Sequence, residues 1–145
     1  AVIQGVPLVG GVIRLPIGRH PRMRTKMAVI NAGRPSVTHY KVAERFALHS
    51  LLKLKLETGR THQIRVHLSH QSMPIFGDAL YGARLRLPKG VDDKSREILS
   101  QFKRQALHAT ELSFEHPVDA SRRVHCQAPL PADMTALIDT LRLCS

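Results

Sequence analysis

The sequence has no tryptophan, and aromatic residues make up only 4% of its 145 positions, so aliphatic side chains must carry the core. Cysteine is also scarce. Cys126 and Cys144 lack the close spacing of zinc and redox sites and are too few for a disulfide scaffold. Free thiols in a reducing cytoplasm are therefore expected. No apolar run approaches the roughly 18 residues of a membrane span, and no signal-peptide pattern occurs. The absence with the largest consequence is of acid. From Ala1 to Ala43 there is no Asp or Glu, yet Arg14, Arg19, Arg22, Arg24, Lys26, Arg34 and Lys41 all fall there. No carboxylate inside that stretch can neutralise them, so their field is left to an outside partner.

What is present fits that reading. Over the whole chain 22 Lys and Arg stand against 11 Asp and Glu, giving a net charge of +11 and a pI near 10.7. A chain this basic points to a polyanion, nucleic acid first, against the plainer reading of a solvated basic surface. Hydrophobic content of 43% and charged content of 23% are ordinary globular values, and the length suits one domain. No repeat, low-complexity tract or Ser/Gly linker divides it, so residues 1–145 read as a single, partial domain. The chain starts directly in the strand-like "AVIQGVPLVGGVI", as expected of a cut through a longer protein.

Periodicity gives the elements. Residues 11–17 read as extended, followed by the basic, turn-prone "GRHPRMRTK". "MAVINAGRPSVTHYKVAERF" reads as a hairpin, Met27 to Ile30 against Val37 to Phe46, with Asn31-Ala32-Gly33 as the turn. In "LLKLKLE", Leu52, Leu54 and Leu56 alternate with Lys53, Lys55 and Glu57, which predicts a strand with one buried face. Thr58-Gly59 breaks it. Thr61 is then placed to N-cap a helix with Ile64 and Leu68 on one face, although Ile64, Val66 and Leu68 also alternate as a strand would. "MPIFGDALYG" is a short apolar segment closed by turns. Asp92 or Asp93 can cap a helix that turns Ile98, Leu99 and Phe102 inward. "ALHATELSF" and "RRVHCQAP" read as strands, and Pro131 opens a last helix with Met134, Leu137, Ile138 and Leu141 at i, i+3, i+4 and i+7. The sum is α+β, a mainly antiparallel mixed sheet with flanking helices.

The densest chemistry lies in "LETGRTHQIRVHLSHQSMP". His62, His67 and His70 form no HExxH and have no cysteine nearby, so a metal is not expected. Ser69 and Ser72 lack the context of a nucleophile elbow. Arg60 falls in the loop before the helix. Arg65 falls inside the helix, a costly place for a guanidinium unless it faces solvent or pairs with a carboxylate or phosphate. His62 and Gln63 can bond a base edge or cap the turn, and the structural role is favoured for both. The candidate RNA contacts are Arg19, Arg22, Arg24, Lys26, Arg60 and His62.

"LKLKLETGRTHQIRVHLSHQSMPIFGDALYG" resembles, nearly residue for residue, a signature of the RluA-type pseudouridine synthases. "PIGRHPRMRTKMAV", "GRPSVTHYKV", "RQALHATELSFEHP" and "APLPADM" resemble that family in the same order, so the likeness spans essentially the whole chain. It implies the synthase catalytic-domain fold, here its C-terminal half, in a cytoplasmic enzyme that is monomeric when intact and uses no cofactor and no metal. The implied reaction is isomerisation of uridine to pseudouridine in large-subunit ribosomal RNA. The nucleotide is flipped out, an aspartate attacks, and the uracil detaches, rotates and rejoins through carbon 5. By the same likeness Arg65 is the active-site arginine that pairs with this aspartate and keeps it ionised. The family's aspartate belongs to an "HRLD"-like motif, and a tyrosine is expected just before an "A-V-x-x-G" strand. This sequence contains neither. Asp78, in "GDALYG", is expected to form a turn rather than act as the nucleophile, and the chain by itself is expected to be inactive. A non-catalytic RNA-binding module is the alternative. A ribosome-associated structural protein rests on charge alone.

Overall fold

The computed structural model describes residues 1–119 and 121–145. Its strands are β1 (Val2–Gln4), β2 (Gly11–Arg14), β3 (Ile17–Arg19), β4 (Met27–Val29), β5 (Val37–Arg45) and β6 (His49–Leu56). After α1 (Gln63–His70) and α2 (Asp93–Gln101) come β7 (Glu111–Glu115), β8 (Arg123–Gln127) and α3 (Ala132–Leu143). β1, β6, β5 and β2 form an antiparallel sheet in that order. The Leu–Lys alternation of β6 sets its two faces. Val42 pairs with Leu52 and Tyr40 with Leu54 on the core side, while Lys41 faces Lys53 on the solvent side. This is the α+β architecture that the sequence predicts.

Helices close the core. In α3 the apolar stripe Met134, Leu137, Ile138 and Leu141 is buried, in one cluster with Leu52 of β6 and Leu68 of α1. Asp92 caps α2 by accepting a hydrogen bond from the Ser95 N–H, as expected, and Leu99 points inward. β1 has no exposed edge. Phe76 N–H donates to the Val2 carbonyl and Ala106 N–H to that of Phe76, so segment 75–76 and Ala106 continue the hydrogen bonding beyond it. That continuation places the following residues, 77–82, against α1.

Three local expectations are corrected. Met27–Val29 does not pair with β5. It pairs with β3, and β5 lies between β2 and β6. The 31–33 turn does form, with Gly33 N–H donating to Ile30, but it folds the chain around Ile17. Arg34 and Ile17 exchange backbone hydrogen bonds on the far side. Burial of Ile17 inserts β3 between the arms of the expected hairpin, and a Cβ on Gly33 would come within 2.6–2.9 Å of the Ile17–Gly18 backbone. Secondly, residues 11–17 are not one strand, because the pairing breaks at Leu15-Pro16, where proline offers no donor. Thirdly, Thr61 does not cap α1. The N-cap is His62, in the left-handed region at φ 56°, with no side-chain cap bond. The segment around it is helix and not strand.

Candidate active site

α1 lies against β5 and is pinned there by two buried polar residues. Gln63 accepts hydrogen bonds from the Thr58 hydroxyl and the Arg60 N–H, and donates to the Val37 carbonyl and the Thr38 hydroxyl. Every polar group of its amide is satisfied, so its role is structural. His67 donates from Nε2 to the Leu15 carbonyl, which can only accept. Its Nδ1 must then accept from the Thr38 hydroxyl, 2.9 Å away. Burial lowers its pKa and keeps the ring neutral. Neither residue is free to hold a ligand, and among the described residues no group of three His, Cys, Asp or Glu stands ready for a metal ion.

This fixed helix presents Arg65. Its Nε and Nη2 donate to Oδ2 and Oδ1 of Asp78 at 2.7 and 2.8 Å, a two-point fork in which the Asp78 side chain is fully buried and that of Arg65 is 14% exposed. Asp78 Oδ1 also accepts from the N–H groups of Leu80 and Tyr81. Burial alone would raise the Asp78 pKa. The bonds from Arg65, Tyr81 and Leu80 oppose it and hold the carboxyl below its ordinary value. Asp78 is thus a turn former, as expected, and also the partner of Arg65, which the sequence reading missed. The glycines of "GDALYG" permit this loop. Gly77 adopts φ +71°, and a Cβ on Gly82 would overlap the Asp78 carbonyl, to which Gly82 N–H donates at 2.8 Å.

Tyr81 completes the cluster and was also missed. Its ring lies 4.8 Å from the Arg65 guanidinium carbon and 5.9 Å from the Lys26 ammonium. Its hydroxyl accepts from the Met27 N–H at 2.7 Å and bonds His62 Nδ1 at 2.8 Å. Burial first, and then the Arg65 charge, lower the His62 pKa. His62 is therefore tied to Tyr81 rather than wholly available. The hydroxyl also links the site to the basic turn. There His20 Nδ1 accepts from the N–H groups of Arg22 and Met23, which curls residues 20–26. Arg19, Arg22 and Arg24 are exposed, and among the described residues they form no ion pair. Arg60 is half-buried, and its Nε makes a long 3.4 Å bond to the Pro35 carbonyl.

A helix-borne arginine is thus forked onto a buried aspartate, beside an unpaired basic turn and on an antiparallel sheet. Residues 1–70 match the RNA pseudouridylate synthase family. The chain is 49% identical to the ribosomal large subunit pseudouridine synthase D of Escherichia coli strain K12, over 98% of this chain and 43% of the relative. Identity is 52% to the enzyme of that name from Xanthomonas campestris pv. campestris, with the same coverage. The chain thus spans less than half the length of these curated relatives. Among solved structures, human RNA pseudouridylate synthase domain containing 1 superposes with a TM-score of 0.74 at 26% identity, over 97% of this chain and 56% of that one. Human RNA pseudouridylate synthase domain containing 4 gives 0.69 at 27%, over 98% and 60%.

Proposed function

We propose that these residues form part of one pseudouridine synthase catalytic domain, a cytoplasmic enzyme that isomerises uridine to pseudouridine in large-subunit ribosomal RNA. The observation that carries the reading is the placement of Arg65. Its Nε–Nη2 edge is taken by Asp78, while Nη1 has no hydrogen-bond partner among the described residues. A second anion can therefore approach the open side of the guanidinium. In the proposed reaction that anion is the nucleophilic aspartate of the HRLD-like motif, held ionised by the positive charge beside it. Arg19, Arg22, Arg24 and Lys26, with Arg60, supply the field that draws in RNA, and His62, bonded to the Tyr81 hydroxyl, is a further contact. Among the described residues no helix is long and apolar enough to cross a membrane.

The test is tritium release from uracil C5 in unmodified ribosomal RNA. The 145-residue chain alone is expected to be inactive. A hybrid in which it replaces the matching segment of the Escherichia coli relative is expected to turn over. Turnover by the chain alone would place the nucleophile among its own aspartates. A folded hybrid that bound RNA without turning over would favour the non-catalytic binding module.

A further inference from the structure

We propose that Asp78 and Tyr81 are positioning residues of the synthase, which fix the Arg65 guanidinium so that only one of its edges is left for a reacting carboxylate. The inference rests on the reading that Arg65 serves the reaction. An arginine side chain has four rotatable bonds, and on an eight-residue helix with no side-chain cap its head group would otherwise sample many positions. Here three contacts remove that freedom. Asp78 takes the Nε–Nη2 edge in a two-point fork, and the guanidinium carbon is held over the Tyr81 ring, 4.8 Å from its centre. The Tyr81 hydroxyl, bonded to Met27 N–H and His62 Nδ1, in turn holds the ring.

The loop is built for this task. Asp78 is rigid because two backbone N–H groups, from Leu80 and Tyr81, point at the same Oδ1 that receives Nη2. The Ser69 hydroxyl donates to the Tyr81 carbonyl, so α1 grips the loop that grips its own arginine. A buried carboxylate needs a partner charge whatever its task, so the fork alone does not assign one. A carboxylate needed only to neutralise Arg65 would not require a tyrosine ring beneath the guanidinium carbon. The charge also matters. Asp78 compensates Arg65, so a second carboxylate meets a guanidinium already shared and stays more basic than it would beside an unpaired one.

The experiment is a kinetic double-mutant cycle in the hybrid enzyme, read as single-turnover rate at saturating RNA alongside the RNA dissociation constant. Asp78→Asn is expected to lower the rate roughly 10²-fold and leave the dissociation constant within about twofold, since a neutral amide keeps the shape and loses the charged fork. In an Arg65→Ala background the same change should cost nothing further, because Asp78 acts only through Arg65. Tyr81→Phe keeps the ring and loses the hydroxyl, and should give a milder drop of roughly 10-fold, again absent without Arg65. A merely structural role would reduce the folded fraction and leave the rate per folded enzyme unchanged, or reduce it equally in both backgrounds. Either result overturns the proposal. Should Asp78→Asn fail to fold, Tyr81→Phe decides alone. If Arg65→Ala kept the full rate, the functional reading of Arg65 would fail. If Arg65→Ala lost the rate while Asp78→Asn and Tyr81→Phe kept it, only the positioning inference would fail.

Discussion

Arg65 and the arginines of the 19–26 turn carry the same guanidinium in opposite settings. Arg65 is largely buried, forked to one carboxylate and held over a tyrosine ring. Arg19, Arg22 and Arg24 are exposed and unpaired, in a stretch whose sequence offers no acid to meet them. A buried guanidinium is held in one geometry and suits a task that depends on position. Exposed ones keep their side-chain freedom and act through the summed field, which tolerates imprecise placement. On the proposed function, the expected difference is in what each loses when removed, chemistry in one case and salt-dependent affinity in the other.

The sharpest way to break this comparison is Arg65→Ala in the hybrid enzyme. Removing a charge-assisted contact to the reacting carboxylate should lower the single-turnover rate ~10²–10³-fold, with RNA affinity nearly unchanged. It also leaves Asp78 buried without its partner, at a cost of about 3–5 kcal/mol in stability, so the folded fraction must be measured beside the rate. Arg65→Lys should also be poor, because an ammonium cannot reproduce the planar fork. If Arg65→Ala raised the dissociation constant and kept the rate, Arg65 would be a phosphate contact like those of the turn.

The turn predicts the reverse. Changing Arg19, Arg22, Arg24 and Lys26 together to Ala should flatten the salt dependence of RNA binding and leave the rate at saturation close to normal. With several phosphate contacts in place, affinity should fall by roughly 10³-fold between low and moderate salt. A flat titration of the unaltered protein, or an unchanged one after the four substitutions, would count against the turn as the main contact.

These two regions were not equally legible. The basic turn is visible from composition, since charge needs no tertiary partner to be read. Arg65 was marked by its type and place in a helix, but its partner lies 13 residues on, across a loop that no periodicity connects to it. Tyr81 was hidden for the same reason. The elements divide likewise. β6 and α3 declare themselves through local alternation and a helical stripe. The hairpin expected of Met27–Ile30 and Val37–Phe46 failed because Ile17, earlier in the chain, took the space between its arms. The start of α1 was misassigned because the bonds that set it, from Gln63 to Val37 and Thr38, are long-range.

A third prediction concerns the scaffold beneath both regions. His49 is completely buried against Phe76, and among the described residues neither ring nitrogen has a hydrogen-bond partner. Burial pushes its pKa down to about 4. The unfolded chain therefore binds the His49 proton first, near pH 6.5, and the folded form resists it. Stability should be intact above about pH 6.5 and fall by about 3 kcal/mol as the pH drops through that window to about 4. Urea denaturation across that range should show this slope, and His49→Leu should lose it. An equal slope in both proteins would assign it to other groups.

The smallest expected effect belongs to Arg60, the residue between the two extremes. It is half-buried and near α1, yet its Nε has only a long bond to the Pro35 carbonyl. The contact that shapes the loop comes from its backbone N–H to Gln63 Oε1 at 3.0 Å, and any side chain preserves it. Arg60→Ala should therefore keep the fold and the rate at saturating RNA. It should weaken RNA binding only a few-fold and reduce the slope of log affinity against log salt by about 1. That outcome would place Arg60 with the exposed arginines despite its nearness to the site. A rate loss at saturation comparable to that of Arg65→Ala would instead extend the positional role to the loop. The boundary between field and chemistry would then lie outside α1, at the end of β6.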